Sequence, residues 1–326
     1  MARLRIGLMG AGHFGRFHAL KLAAAERAEF SGITDPDAAR AQAVAAETGG
    51  RVLGAEDLLA ASDAVIIAAP AELHYRLAAQ ALEQGLHVLV EKPIAATLAQ
   101  AAELEARARM RGRVLQVGHL ERFSSAHAAM AKRVDKPLYI EAVRIAPFKP
   151  RGTDVSVILD LMIHDLDLIL ALIREPIDHV DAVGAAVVSG HDDIANARIK
   201  FVNGAVATIT ASRISMKTER KMRIFSQSGY LTVDFSARKL SLVGPERGIR
   251  LPGAEEFGIE TANWEDHDAL AAEHAAFIAS ILDGAPVAVD AEAGARALAA
   301  ALAVSSAIAK ARALAEASGL VRQTQG

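Results

Sequence analysis

The chain has 326 residues, 52% hydrophobic but only 4% aromatic, with a net charge of −3 and no cysteine. That length allows two domains with sizeable cores. The charge offers no electrostatic case for a nucleic-acid or membrane partner, and the lack of cysteine excludes disulfides, thiolate metal sites and cysteine nucleophiles.

The first strand-like run carries Ile6, Leu8 and Met9 and leads into Gly10-x-Gly12-x-x-Gly15, followed by a helix-like run over 16–27. Each glycine has a job in a strand–turn–helix that holds a pyrophosphate. Gly10 permits the tight turn, Gly12 lets backbone approach the phosphates, and Gly15 lets helix and strand pack closely. The N–H groups opening the helix then face negative charge. Asp35, about 20 positions beyond Gly15, closes a second strand-like run over 30–34, where a carboxylate accepts hydrogen bonds from an adenine-ribose diol. Pro36 and Asp37 follow it rather than a basic cluster, which favours NAD; Arg40, one helical turn on, leaves NADP open.

Alternation continues. Helices are expected over 37–47, 73–84 and 97–110, and buried strands over 64–69, 87–90 and 114–117. This pattern predicts an α/β fold: a Rossmann-type doubly wound parallel sheet over 1–122. From 123 to 326 the texture changes. Strands are expected over 139–145, 180–188, 195–201, 205–212, 222–226, 230–235 and 240–243, with a hairpin signal at Asn203-Gly204. Helices are expected over 158–173, 266–282 and 290–318. The second domain is therefore read as α+β with a large, mostly antiparallel sheet. No apolar leader precedes the first strand and no run reads as long enough to cross a bilayer, so a cytoplasmic location is expected.

Chemistry belongs where the carboxyl ends of the parallel strands open toward the second domain. Two stretches can supply it. Glu91-Lys92-Pro93 directly follows a buried strand, and a lysine there can donate to a hydroxyl or stabilise developing alkoxide charge. Asp160 and His164 stand at i and i+4 on one face of an apolar helix that also carries Asp167. An imidazole there exchanges a proton near neutral pH, tuned by its carboxylate. His13, Phe14, Ala69, Pro70, His74 and Glu91 join Gly10, Gly12, Gly15, Asp35 and Arg40 as candidate cofactor contacts. Arg144 and Arg151 are candidate contacts to a sugar or diphosphate, with Asp160 beside them, and Lys149 shares their basic character. His191-Asp192-Asp193 reads as a solvated turn rather than a metal cluster, the basic run 217–223 as a strand face in water, and His119 as a pocket wall without an assigned role. No metal is expected.

Together, Gly10-Ala-Gly12-His-Phe-Gly15, Asp35, Glu91-Lys92-Pro93, Gln116-Val-Gly-His-Leu-Glu-Arg122-Phe123 and Asp160-Leu-Met-Ile-His164-Asp-Leu-Asp167 resemble the Gfo/Idh/MocA oxidoreductases over nearly the whole chain. The resemblance implies NAD(P)-dependent oxidation or reduction of a sugar, cyclitol or sugar nucleotide, with Lys92 and His164 catalytic, Asp160 assisting or touching substrate, and the Lys92–Pro93 peptide often cis. It also implies a C-terminal sheet that joins chains into a homodimer or homotetramer. The chain departs from the glycine-rich approach to the Asp–His helix that many members have, with Phe148-Lys-Pro-Arg151-Gly-Thr-Asp154 in its place. From there to Asp167 it is most similar to the UDP-N-acetylglucosamine 3-dehydrogenase subgroup, which prepares an amino sugar for lipid A. An inositol or free-sugar dehydrogenase is the alternative within the family. A non-catalytic dinucleotide-binding regulator is a third reading, against which both Lys92 and His164 are retained.

Overall fold

The computed structural model describes residues 3–320 apart from 151, 152, 154, 228, 246, 247 and 266. The chain forms two compact units: Met1–Ser124 with Asp268–Leu298, and Ser125–His267 with Ala299–Gly326. The sequence reading placed everything beyond 122 in one domain; by its contacts, Asp268–Leu298 groups with the N-terminal part.

In the first unit, β1 (Leu4–Met9), α1 (His13–Ala24), β2 (Ala28–Thr34), α2 (Ala38–Thr48), α3 (Ala55–Ala60), β3 (Ala64–Ile67), α4 (Ala71–Glu83), β4 (His87–Glu91), α5 (Leu98–Arg111) and β5 (Leu115–Gly118) follow in order. The strands form a five-stranded sheet ordered β2-β1-β3-β4-β5, every pairing parallel. Strands covered on both faces need continuous apolar runs, and Val65, Ile66, Ile67, Val88, Leu89 and Val90 are all 0% exposed. The helices start and stop where local chemistry says they should. Asp37 and Thr97 cap α2 and α5 by accepting the N–H of Arg40 and Gln100, and Gly49 and Gly112 end them in the left-handed region. The short α3 carried no sequence signal strong enough to be expected.

The second unit contains α6 (Ser125–Ala131), β6 (Pro137–Ile145), α7 (Ile163–Ile173), β7 (Ile177–Ala185), β8 (Ile194–Phe201), β9 (Val206–Ser212), β10 (Glu219–Ser226), β11 (Gly229–Asp234), β12 (Lys239–Pro245), β13 (Ile249–Leu251) and β14 (Ala254–Asn263). Its nine-stranded sheet is ordered β13-β14-β12-β11-β10-β6-β9-β8-β7. Only β6 and β9 pair in parallel; the other neighbours are antiparallel. Alternation is clean on β8, where Ala195, Ala197, Ile199 and Phe201 are buried between exposed residues. The Asn203-Gly204 turn joins β8 to β9, with Gly204 at φ +87° and the Asn203 side chain accepting the Ala205 N–H.

Two helices complete the chain, α8 (Ala269–Leu282) and α9 (Ala291–Ala317). Asp268 caps α8 by accepting the Ala271 N–H. The expectation that no run is long enough to cross a bilayer is corrected by α9, which has 27 residues and a mean hydropathy of 1.5 over its best window. Alanine produces that value. Ala297, Leu298, Ala300, Ala301, Val304 and Ile308 of α9 are buried, a stripe at helical spacing along an otherwise more open helix.

The segment 268–298 covers β5. The Val117 N–H donates to the Val289 carbonyl, Gln116 Nε2 donates to the Glu273 carbonyl at 3.2 Å, and a Cβ on Gly294 would stand 2.6 Å from Val117 Cγ2. Val117 is fully buried and β-branched, so it has no room to yield. Gly294→Val is expected to lower unfolding free energy by about 1–3 kcal/mol, measured by urea denaturation.

Candidate active site

The nucleotide-loop glycines have separate structural roles. Gly10 has φ +105°, and a Cβ there would lie 2.5 Å from the Ala68 carbonyl oxygen. A Cβ on Gly15 would overlap the Gly10 carbonyl oxygen. A Cβ on Gly12, by contrast, would meet nothing within 4 Å. Gly12 is also the N-cap of α1 and has no side chain to satisfy the helix's first N–H groups. An open cradle at a helix N-terminus, walled by glycines, fits a dinucleotide pyrophosphate. It lies at the carboxyl end of β1, beside β3, where the strand order reverses.

Around this loop, Asp35 Oδ2 accepts the Ala11 N–H at 2.7 Å and Oδ1 accepts the Asp37 N–H at 2.8 Å. The carboxylate therefore braces the glycine loop from the end of β2. Arg40 is exposed, its guanidinium 3.5 Å from Asp37. His13 and Phe14 lie exposed at the start of α1, with His13 edge-on to Phe14 and Phe17.

Two further loops leave the same edge of the sheet. Ala69 and Pro70 follow β3, and Lys92 follows β4, half-buried before a cis peptide to Pro93. His74, expected as a cofactor contact, ties them together. Its Nδ1 lies 2.7 Å from the Pro93 carbonyl oxygen and its Nε2 2.9 Å from that of Ala69. A neutral ring donates to one of these, and either choice pins α4 to a loop that carries a candidate residue.

Glu91, expected beside the cofactor, directs its carboxylate inward. Oε1 accepts from His18 Nε2 at 2.9 Å, and Oε2 lies 3.3 Å from the Lys92 backbone N–H. Burial alone would raise this carboxyl, but the hydrogen bond and charge of His18, with Lys92 and His74, outweigh it and hold the group below the usual carboxylate range. Sequence reasoning missed His18; its one signal is the i+3 spacing from Gly15, which puts it on the inward face with Leu22.

In the second unit, the helix expected over 158–173 begins with a widened π-type turn over Ile158–Met162 before α7 proper. Such turns occur frequently at functional positions. Asp160 lies in the widened turn and His164 in the first turn of α7, both half-buried. Arg144 makes a bidentate pair with Asp165, Nε to Oδ2 at 2.7 Å and Nη2 to Oδ1 at 2.9 Å, and both side chains are largely buried. Arg151 lies outside the described residues. The turn expected to be solvated at 191–193 is organised instead around a buried acid: Asp193 is 0% exposed and accepts the N–H groups of Val187, Val188 and Ser189. Burial would raise its carboxyl, but these donors hold it below the usual range.

The glycines separate folding from binding. Gly12→Val is expected to leave the melting temperature within a few degrees and to weaken NAD binding about tenfold or more, because the added methyls occupy the phosphate cradle. Gly15→Val is expected to abolish folding through backbone overlap. Thermal melts with NAD fluorescence titration check both. Arg144→Met leaves Asp165 buried without its partner and is expected to destabilise the chain by about 3–5 kcal/mol in urea.

Comparison with known proteins agrees with this geometry. The family model described as "Oxidoreductase family, NAD-binding Rossmann fold" matches residues 4–119, and that of the GFO/IDH/MocA C-terminal domain matches 117–232. The UDP-N-acetylglucosamine 3-dehydrogenase of Acidithiobacillus ferrooxidans is 42% identical over 301 residues, 91% of this chain and 95% of that one. A crystal form of that protein superposes with a TM-score of 0.88, covering 94% of this chain and 98% of that one at 41% identity. An inositol 2-dehydrogenase of Leifsonia xyli is 33% identical over 189 residues, 55% of this chain and 56% of its own. The scyllo-inositol dehydrogenase of Lactobacillus casei, solved with NAD(H) and scyllo-inositol, shares the fold at a TM-score of 0.77 and 22% identity, covering 94% of this chain and 97% of that one. A glycine cradle at the strand-order switch, a lysine at the end of β4 and matches running through both units have one common meaning: the chain is a member of the Gfo/Idh/MocA oxidoreductases, with an NAD-binding Rossmann domain at its N-terminus.

Proposed function

We propose that the protein is a cytoplasmic NAD-dependent dehydrogenase that oxidises the 3-hydroxyl of UDP-N-acetylglucosamine to a ketone. The observation that carries this reading is the 42% identity, spread over 91% of the chain, with an enzyme of that name. The inositol dehydrogenase of Leifsonia xyli matches only 55% of the chain, which weakens the free-polyol alternative.

NAD supplies the hydride acceptor. Gly10, Gly12 and Gly15 would hold its pyrophosphate, and Asp35 its adenine ribose. Lys92 donates a hydrogen bond to the reacting hydroxyl and favours its alkoxide character. His164 removes the hydroxyl proton as hydride leaves the same carbon, so that alcohol and NAD give ketone, NADH and one proton. Asp160 orients the imidazole or the sugar. Arg144 is engaged by Asp165, so in this reading the diphosphate is met by other cations. Chains associate through the open face of the nine-stranded sheet, which presents the Glu141–Arg223 pair and Lys221 between Glu219 and Asp234.

A panel of UDP-sugars, free sugars and inositols, followed by NADH absorbance, is expected to single out UDP-N-acetylglucosamine; turnover of inositol alone would overturn the assignment. Lys92→Ala and His164→Ala are each expected to lower kcat by about 10²–10⁴-fold while the NAD affinity of both stays near that of the parent. Stopped-flow hydride transfer at the parent rate in both variants would remove these roles.

A further inference from the structure

The first unit contains a group of buried titratable side chains that the reaction above does not use. His18 from α1, Glu91 from the end of β4, and Glu273 and His274 from α8 are 0%, 9%, 0% and 2% exposed. His18 is the hub. Its Nε2 lies 2.9 Å from Glu91 Oε1, its Nδ1 lies 2.8 Å from His274 Nε2, and the two imidazoles stack with centroids 5.1 Å apart. One ligand-type atom each from His18, Glu91 and Glu273 lies within 4.8 Å of the others. Both carboxylate oxygens of Glu273 are buried with no hydrogen-bond partner among the described residues.

We propose that His18, Glu91, Glu273 and His274 form a positioning cluster that holds one shared negative charge on Glu91 beneath Lys92. It rests on the assignment of Lys92 to the reaction. Two carboxyl groups this close in a dry interior do not both ionise, and the one with donors keeps the charge. Glu91 has the His18 N–H and the Lys92 N–H; Glu273 has none and takes the proton. Burial, then the Glu91 charge, push the Glu273 carboxyl well above its ordinary range. Burial, then His18 and Lys21, push His274 well below the ordinary imidazole range, so it is neutral.

A carboxylate only accepts, so His18 Nε2 donates to it. With His274 neutral, the His18 Nδ1–His274 Nε2 contact pairs one donor with one acceptor, the roles following the tautomers of the two rings. The hydrogen bonds thus run from α8 through α1 to the end of β4. Gly118 makes room for its last member: a Cβ there would stand 3.0 Å from Glu91 Cδ and Oε1. The titratable groups facing Glu91 are His18 from α1, His74 from α4, Glu273 from α8, and Lys92 next in the chain, with His274 and Lys21 behind them. A fixed anion under Lys92 keeps the ammonium protonated, so it stays a donor.

The test uses the full-length enzyme, NAD and the sugar nucleotide that the panel identifies. Glu91→Gln is expected to lower kcat about 10–100-fold, the range for removing a group that orients a functional one. NAD affinity stays within about twofold, and the alkaline limb of the kcat–pH profile moves to lower pH as Lys92 loses its anion. Independently of turnover, infrared difference spectra at pH 7 are expected to show a protonated-carboxyl band that Glu273→Gln removes; if Glu91→Gln folds poorly, that band decides. An unmoved pH profile in Glu91→Gln alongside an inactive Lys92→Ala overturns the proposal. So does the absence of the band, or a stoichiometric divalent metal that dialysed wild type retains and Glu273→Gln loses. Parent-rate turnover by Lys92→Ala instead defeats the lysine's role, and the band still judges the cluster on its own.

Discussion

The Gly10 carbonyl oxygen occupies the place where a side chain on residue 15 would have to be. This contact presses α1 against the end of β1 and fixes the rotation of the helix about its own axis. Gly12 then faces open space at the helix N-terminus, and residue 18, three positions beyond the contact, is turned into the core. An outward cradle and an inward imidazole follow from one backbone approach.

Placing His18 in the core makes Glu91 tolerable there. A carboxylate that is 9% exposed at the end of a parallel strand needs donors. It receives one from α1 and one from its own following residue, and Gly118 on β5 leaves it the room. The next residue is Lys92, so the strand end that buries a charge also presents one. His74 holds the turn from the other side through the Pro93 carbonyl, and through Ala69 links it to the loop after β3. The carboxyl edge of the sheet is thus a set of loops fastened to the helices behind them, a better platform for chemistry than loops held only by their own turns.

What the sequence made legible were features encoded locally. The glycine motif, the continuous apolar runs of β3 and β4, the caps at Asp37 and Thr97 and the turn at Asn203-Gly204 each need only neighbours in the chain. The architecture of a parallel sheet followed by a mostly antiparallel one was legible for the same reason. What stayed hidden depended on distant partners. The His18–His274 contact joins residues 256 apart, and nothing near 268 announces that the chain rejoins the first unit. Strand β14 was missed because Glu255, Glu256 and Glu260 interrupt its apolar pattern. Asp193 was misread because a place between strands beside Gly190 suggests a solvated turn, whereas its donors are the backbone N–H groups of Val187, Val188 and Ser189.

The Asp160-to-Asp167 stretch shows how burial divides a motif that sequence presents as one. Asp165 and Asp167 are 2% and 1% exposed, and Asp165 is closed by a bidentate arginine. Separating so enclosed a pair would leave buried charges without hydrogen bonds, which in a dry interior is costly. Asp160 and His164 remain half-buried, one in the widened turn and one just past it. The helix that carries them is anchored to β6 through Arg144. Asp165 therefore holds the element in place, and Asp160 and His164 are the less enclosed groups of the stretch. Arg144, basic and expected to touch substrate, belongs by its hydrogen bonds with Asp165, a distinction that spacing alone could not make.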